Sequence, residues 1–579
     1  MFANLTRRRA LGLCAALPLL SNRAFAAAYP RVTVFEAARF VTMEPAQPAC
    51  RFVAVADGLI LGTGQSLAEL EPWTRGREVS LDRRFAGKVL LPGLIDPHIH
   101  PMQGAVMLNI PFIAPDDWTL PDGPSLGVRS PAAYRARLAA ALGSSQADPF
   151  ITWGYHELFH GPIGRSDLDA LAPGRAVVVW QRSFHEIIAS STMLQRWGVT
   201  SQGEWDALLG SVKADPAHGD FARGHFSETA LLAALGKLRP VILGPGKVQQ
   251  GMAKLQAMML RSGVTTVSDM GTGIFARFDT EAALIRAAFE SEGSAARVML
   301  MPLAGEFMGE GDLDAWFARM QGQWSSPRVR LDRRVKMLAD GAFFALNMRM
   351  NPPGYTDGHQ GKWITEPDLL RRQLDRFWRA GFSLHIHVNG DEGLDVVLGD
   401  LAELPPAARG QTITLEHLGY STEAQNRRIA RMGLMVSAQP NYIRVLGDAY
   451  EREGLGPGRS AMIDRLGSLE RKGVPLGLHS DFNMAPIDPL YLAWVAANRV
   501  TIEGAVKAPE ERLSLDKALR AVTIEAAQVI GMDAMVGSIA PGKRADFTVL
   551  DQDPYRLGAA RLREARIEGV LFEGAFTPA

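Results

Sequence analysis

Short apolar runs recur through the middle of the chain, separated by longer segments with helical hydrophobic spacing. Runs of this length that are rich in β-branched residues are typical of buried strands, and their alternation with helices predicts an α/β fold. Because parallel strands joined by helices can close on themselves, we predict a (β/α)8 TIM barrel. The predicted strands are Val264–Val267, Arg297–Leu300, Val335–Leu338, Ser383–Val388, Thr412–His417, Leu434–Ala438 and Val474–His479.

Shorter β-type runs flank this middle region. Val32–Phe35 and Phe52–Val55, with the turn-forming pair Asp57-Gly58, predict hairpins near the beginning of the chain, and Ala545–Leu550 predicts a strand near its end. Between His100 and about Gly246 the spacing of apolar runs exceeds a normal crossover. We therefore predict an insertion over the barrel mouth, about residues 101–245, where loops carry substrate specificity.

Residues 1–26 have the pattern of an export signal. Basic residues at Arg7–Arg9 precede an apolar stretch that ends at Leu20, and Ala24-Phe25-Ala26 is a small-residue cleavage site. The paired arginines favour the twin-arginine export machinery, and a general secretory signal is the alternative. The apolar stretch is too short to span a bilayer, so we expect cleavage after Ala26 and a periplasmic protein without a membrane anchor.

Charge and cysteine content narrow the function classes. The 579 residues contain 62 Lys and Arg against 62 Asp and Glu, so no basic field exists to attract nucleic acid. Removal of residues 1–26 would leave Cys50 as the single thiol, which excludes an internal disulfide. We expect a small-molecule substrate as the partner, and association into a homo-oligomer stays open.

The first candidate for chemistry is a pair of histidines, His98 and His100, at the end of an apolar run. Strand alternation points both imidazoles to one face, where they could bind a metal. A structural or surface role is the alternative for an isolated His-x-His. Lys336 lies in another apolar strand, and burying its amine costs free energy unless the lysine is modified or paired. Carbamylation would convert it into an anion able to bridge two metals; an ion pair with Asp340 or Asp332 is the alternative.

Three further candidates end strand-like runs, which is where barrel enzymes keep catalytic groups. They are His387, His417 and Asp481. His385 shares a strand face with His387, and we expect it to have a supporting or core role. A carboxylate at Asp481 could contact a metal and accept a proton from its bound water.

The order of these motifs along the chain resembles that of the amidohydrolase superfamily, and within it that of family 3, which contains amidases and deformylases. The resemblance rests on Pro92-Gly93 followed by Asp96-Pro97-His98-Ile99-His100, on Lys336, on His387-Val388-Asn389-Gly390-Asp391, on Glu416-His417 and on Asp481. It extends to Asp167–Pro173, Phe184-His185 and Gly537–Ile539. Val388-Asn389 departs from the pair that relatives often carry, which affects the expected pocket wall.

The resemblance implies a barrel over residues 91–535 and a small composite β-sandwich from residues 27–90 and 536–579. It also implies one or two divalent metal ions. His98, His100 and Asp481 would hold the more buried metal, His387 and His417 the second, and carbamylated Lys336 would bridge them. Zinc is favoured because imidazole and carboxylate ligands suit it, with iron, manganese or nickel as alternatives.

The activity implied is a metal-dependent hydrolysis of an amide-type carbon–nitrogen bond, in which metal-bound hydroxide attacks an acyl carbon. Asp481 would carry the proton to the leaving amine. The candidates for substrate contact are His185, Tyr355, His479 and Trp153, each of which could instead be a packed residue. The same centre could open an ester, a lactone or a ring amidine, since fold does not decide the substrate. A non-catalytic barrel that only binds is a further alternative, but such a protein is expected to have lost ligands.

Overall fold

A computed structural model describes residues 31–579; the predicted export signal lies outside this range. The strands are β1 Arg31–Val41, β2 Ala49–Ala56, β3 Leu59–Gly64, β4 Glu78–Pro92, β5 Leu94–Ile99, β6 Trp118–Leu120, β7 Gly123–Ser125, β8 Phe150–Tyr155, β9 Val177–Gln181, β10 Glu186–Ala189, β11 Gly219–Asp220, β12 His225–Ser227, β13 Val264–Thr272, β14 Arg297–Pro302, β15 Val329–Arg330, β16 Arg334–Leu338, β17 Ser383–Val388, β18 Ile413–His417, β19 Met435–Ala438, β20 Leu476–Leu478, β21 Phe547–Leu550, β22 Ile567–Phe572 and β23 Ala575–Pro578.

The α-helices are α1 Glu71–Thr74, α2 Pro101–Met107, α3 Pro131–Ser144, α4 Glu157–His160, α5 Arg165–Leu171, α6 Ser191–Arg196, α7 Gln202–Ser211, α8 Glu228–Ile242, α9 Lys247–Arg261, α10 Phe278–Phe289, α11 Leu313–Trp324, α12 Pro367–Arg379, α13 Asp391–Ala402, α14 Glu423–Arg431, α15 Asn441–Ala449, α16 Gly456–Ser460, α17 Leu466–Arg471, α18 Pro489–Asn498, α19 Leu515–Arg520, α20 Ile524–Val529 and α21 Pro554–Leu557. Among residues 31–579, no helix has the length and apolar character needed to cross a bilayer.

Nine parallel strands in two sheets form the centre of the α/β fold. Strands β5, β13, β14 and β15 form one parallel sheet, and β16 to β20 form a second. Parallel bridges Leu303–Lys336 and Ile99–Phe482 connect the two sheets on both sides. Every residue of β5, β13 and β17 is buried, as expected for strands covered on both faces. This strand order is consistent with the predicted (β/α)8 barrel, and all seven strands predicted for the middle of the chain are present.

Both ends of the described chain contribute to one sheet of seven strands, in the order β23-β22-β21-β4-β1-β2-β3. Its hairpin between β2 and β3 turns at Asp57-Gly58, where both residues have positive φ, +46° and +73°. That conformation gives the two-residue turn whose twist matches the flanking strands. The sheet therefore joins the two ends of the chain, while the domain boundaries given above stay predictions.

The segment between β5 and β13 contains a layer of its own. Its five strands have the order β11-β12-β10-β9-β8. Side chains of β9 alternate between two cores, with Val178 and Trp180 in the large core shared with the parallel strands and Val177 and Val179 against Tyr134 of α3. Because one apolar core is shared, this layer packs against the parallel strands, while its place over a barrel mouth stays a prediction.

Candidate metal centre

The six predicted metal ligands all line one cavity at the carboxyl ends of the barrel strands. They are His98 and His100 at the end of β5, Lys336 in β16, His387 in β17, His417 at the end of β18 and Asp481 after β20. The strands place them together because carboxyl ends of parallel strands meet at one edge of the sheet. All but His100 are buried.

The Asp481 carboxylate lies between three imidazoles. Its Oδ1 is 3.4 Å from Nε2 of His98 and 3.2 Å from Nε2 of His100, and its Oδ2 is 3.7 Å from Nδ1 of His417. The ring centres of His387 and His417 are 4.5 Å apart. One donor atom from each of His98, His100 and Asp481 falls within 4.8 Å of the other two, a spacing that a single metal ion can bridge.

Glu416 fixes the orientation of the first histidine. Its Oε2 is 2.8 Å from Nδ1 of His98, and its Oε1 is 2.7 Å from Nδ1 of His385. A carboxylate on Nδ1 keeps the proton there and leaves Nε2 free to bind a metal. His385 does not line the cavity; it contacts Glu416 and, through Nε2, Arg334 at 3.3 Å. His385 therefore supports the site indirectly, because it holds the Glu416 carboxylate that orients His98.

Two further buried carboxylates fix the loops that carry ligands. Asp96 accepts hydrogen bonds from the backbone and hydroxyl of Ser480, next to Asp481. Asp340 accepts backbone hydrogen bonds from Asn389 and Gly390, each at 2.8 Å, just after His387. Burial raises the pKa of both carboxyls to about 7 in spite of these hydrogen bonds.

Burial keeps the imidazoles of His98, His387 and His417 neutral. It lowers the pKa of His387 to about 3 and holds those of His98 and His417 well below the usual value, with the nearby Lys336 charge acting in the same direction. A metal ligand must be the neutral imidazole. The cavity therefore favours the form of histidine that binds metal.

Lys336 is 1% exposed, and its Nζ has no hydrogen-bond partner within residues 31–579. Burial lowers its pKa to about 8, against the attraction of Glu416 and Asp481. The alternative of an ion pair is wrong: Asp340 is occupied by backbone amides, and Asp332 pairs with Arg330 at 2.9 Å. Lys336 lines the same cavity as the other five predicted ligands, and its carbamylation stays a prediction.

The donor set fits a divalent metal. Nε2 of His98 and Nζ of Lys336 are buried polar atoms without a partner in the described part of the chain, and both adjoin the Asp481 carboxylate and neutral imidazoles. Buried polar atoms are normally satisfied, so such atoms call for a ligand. The donor atoms of His98, His417 and His479 form a second triad of similar spacing.

The four candidates for substrate contact are placed differently. His185 lines the cavity. His479 lies beneath it, with Nε2 3.2 Å from Nδ1 of His417 and Nδ1 2.7 Å from Oγ of Ser437. Tyr355 does not line the cavity; its ring stacks on His359 at 4.2 Å. Trp153 also lies outside the lining and packs in the core against Phe112 at 4.6 Å.

Several lining residues were not predicted from the sequence. Tyr442, in α15 after β19, reaches the cavity and stacks on Phe343 at 4.1 Å. Its place after a barrel strand is the signal that could have identified it. The other apolar lining residues form a wall: Met270, Ile274, Leu303, Leu338, Ala342, Phe344, Ile364 and Met484.

Two of the predicted ligands have a strained backbone. His417 has φ +73° and Asp481 has φ +49°, in the left-handed region that costs free energy for residues other than glycine. Such conformations persist where the surrounding structure enforces them, often at functional sites. The surrounding structure therefore holds both residues in place at the cavity.

Comparison with known proteins agrees with this geometry. The profile described as "Amidohydrolase family" matches residues 86–578. Two relatives match over most of both chains: LONG AFTER FAR-RED 3 of Arabidopsis thaliana is 24% identical, covering 89% of this chain and 86% of that protein, and the protein named as amidohydrolase YtcJ of Bacillus subtilis strain 168 is 25% identical, covering 90% and 94%.

A shorter match is to N-substituted formamide deformylase of Arthrobacter pascens, 31% identical over 34% of this chain and 36% of that protein. A solved structure, an uncharacterized metal-dependent hydrolase from Pyrococcus horikoshii OT3, superimposes with a TM-score of 0.68 at 19% identity, covering 91% of this chain and 99% of that one. This likeness concerns the fold.

Proposed function

Because the chain belongs to the amidohydrolase family, we propose that it uses one or two divalent metal ions to hydrolyse an amide-type carbon–nitrogen bond of an uncharged small molecule. The protein is a hydrolase, and its relatives act on carbon–nitrogen bonds. The observation that carries the proposal is the meeting of all six ligand side chains in one cavity, with the Asp481 carboxylate between three imidazoles. We also propose that eight of the nine parallel strands, all except the two-residue β15, close into a (β/α)8 barrel and that the metal is zinc.

His98, His100 and Asp481 would hold one metal, His387 and His417 a second, and carbamylated Lys336 would bridge them. A metal bound there polarises the acyl oxygen of the substrate and lowers the pKa of a water molecule. Asp481 accepts the proton of the attacking water and returns it to the leaving nitrogen. His185 contacts the polar part of the substrate, while Phe343 and Phe344 exclude water from the apolar part.

The lining indicates an uncharged substrate. Apart from Lys336, no lysine or arginine is among the described lining residues, and most of the lining outside the predicted ligands is apolar. A carboxylate on the substrate would therefore be buried without a lysine or arginine to pair with it, which costs free energy. We therefore expect amides with an apolar substituent to be preferred over N-acyl amino acids.

A matched pair of substrates tests this preference. For N-acetyl-2-phenylethylamine we expect kcat/KM at least about tenfold higher than for N-acetylphenylalanine, which differs by one carboxylate. The measurement uses zinc-loaded protein, with metal-stripped protein as the control. A higher kcat/KM for the carboxylate would contradict the preference for an uncharged substrate. Hydrolysis of phenethyl acetate without hydrolysis of any amide would contradict the proposed carbon–nitrogen activity.

We also propose that the protein is exported to the periplasm after cleavage of residues 1–26. The basis is the pattern of Arg7–Arg9, the apolar stretch and Ala24-Phe25-Ala26. Intact-mass measurement on protein from its native host is expected to place the mature beginning at or within a few residues of Ala27. Soluble protein that retains Met1 in the cytoplasm would contradict this. Replacing Arg7 and Arg8 with lysine should block export if the twin-arginine machinery is used.

A further inference from the structure

His185 is held at the cavity by a buried carboxylate. Glu228 Oε2 lies 2.8 Å from Nδ1 of His185, and the backbone N–H of Glu228 donates to the His185 carbonyl at 2.9 Å. The imidazole side chain is 29% exposed and lines the cavity, whereas the Glu228 side chain is 6% exposed. Since Nδ1 faces the carboxylate, Nε2 is the nitrogen left for the cavity.

Glu228 is itself fixed from the barrel side. Nδ2 of Asn347, in the segment after β16, donates to Glu228 Oε1 at 3.0 Å. Both carboxylate oxygens therefore have a partner, one on the inserted layer and one on the barrel. Two residues at this place are also strained, since Phe184 has φ +63° and Glu228 has φ +43°. These strained conformations lie at the residue before His185 and at its carboxylate partner, and they help to place the His185 side chain at the cavity.

We propose that Glu228 is a positioning residue for His185, and that it holds the imidazole so that Nε2–H donates a hydrogen bond to the substrate. This inference rests on the proposed hydrolytic function, which assigns Glu228 no role. A carboxylate on one nitrogen of a histidine fixes its tautomer and stabilises its charged form. A charged donor at Nε2 suits the acyl oxygen of an uncharged amide.

The electrostatics of the pair agree with a charged donor. Burial opposes a charge on His185, but the Glu228 carboxylate outweighs it and raises the pKa of the imidazole. Burial likewise opposes a charge on Glu228, and the His185 charge and hydrogen bond hold the pKa of that carboxyl below its usual value. The other groups that act on the pair are Glu186, Asp481 and His387 around His185, and Lys362 and His218 around Glu228.

The same sheet contains a matched control pair. Glu186 Oε2 lies 3.0 Å from Nε2 of His225 on the neighbouring strand, with both side chains about as exposed as that of His185. Neither residue lines the cavity. Substitution of His225 removes a similar contact from the same layer of the protein and leaves in place the Glu186 charge, which acts on His185.

The test is a double-mutant cycle on metal-loaded protein. We expect Glu228→Gln to lower kcat/KM by about 10- to 100-fold, with the metal content unchanged. In a His185→Gln background the same substitution should cost less than about twofold, because Glu228 acts through His185. His225→Gln should stay within about twofold of wild type. If Glu228→Gln costs the same factor in both backgrounds, or if His225→Gln costs as much, then Glu228 has only a structural role.

A second measurement does not depend on activity. In protein labelled with ¹⁵N-histidine, the resonances that disappear in His185→Gln belong to this side chain. We expect the pKa that these resonances give for His185 to be higher in wild type than in Glu228→Gln, because the carboxylate stabilises the charged imidazole. An equal pKa in the two proteins would overturn the inference even if amides are hydrolysed. A higher pKa in wild type, together with no turnover of any amide, would leave the positioning role intact and contradict the proposed function.

Discussion

Replacing Asp481 with asparagine is expected to lower kcat by about 10²–10⁴, the usual cost of losing a general base. Asparagine still places an oxygen near His98 and His100, but it cannot take a proton from the attacking water. The neighbours of Asp481 favour its charged form: although burial opposes the charge, the hydrogen bond and charge of His100 hold the pKa of this carboxyl below its usual value. The side chain is thus ready to accept a proton at neutral pH.

The asparagine variant should stay folded. Asp481 has φ +49°, and asparagine is one of the few residues that adopt this region readily. Alanine at this position would add backbone strain to the loss of the carboxylate, so it is the poorer test. Melting temperature and metal analysis check that fold and metal are retained.

His98→Ala provides the contrast, because it should lose metal as well as rate. The pH profile adds a second readout, since the acidic limb of kcat/KM should move or vanish in Asp481→Asn. If this variant kept more than about a tenth of the wild-type kcat/KM with its metal bound, the proton carrier would be another residue. His479, whose Nε2 contacts His417, would then be tested first.

The ligand cluster could be predicted because it depends on local rules. His98 and His100 lie two apart in a strand, and His417 ends another, so alternation and the common edge of a parallel sheet bring them together. Lys336 could be predicted by the same reasoning, because an amine buried in an apolar strand needs a modification or a partner that compensates the cost of its burial. These inferences require only the positions of the strands in the sequence and not the details of how the strands pack.

The residues that contact the substrate, and those that support them, could not be predicted in the same way. Glu228 meets His185 only because β10 and β12 pair across the inserted layer, and periodicity does not give that pairing. The aromatic segment beginning at Trp153 shows the same limit. Alternation would place Trp153 and Tyr155 on one face of β8, but the register shifts between them, so Trp153 packs with Phe112 and Tyr155 packs against Tyr134. Tyr355 lies after a barrel strand in sequence, but its loop turns away and the ring stacks on His359.

Lys336→Ala is expected to lower kcat/KM by about 100-fold or more and to reduce the bound metal, with partial rescue by acetate or propionate. In wild type the neutral amine would add to carbon dioxide, forming a nitrogen–carbon bond and releasing a proton. The product is a carboxylate that can bridge two metals. Burial lowers the pKa of this amine to about 8, so a substantial neutral fraction exists near neutral pH.

Rescue separates this role of Lys336 from a structural one, because a small carboxylate can supply the bridging oxygens but cannot repair a packing defect. Lys543 is a suitable control: burial lowers the pKa of its amine too, yet it pairs with Ser538 far from the metal ligands in sequence. Lys543→Ala should leave metal content unchanged, and acetate should not affect its activity. Carbon-13 NMR of metal-loaded protein under ¹³CO2 should give a carbamate signal in wild type and in Lys543→Ala but not in Lys336→Ala. Full metal content and activity in Lys336→Ala would contradict a bridging carbamate, and the buried amine would then act as a cation beside Glu416 and Asp481.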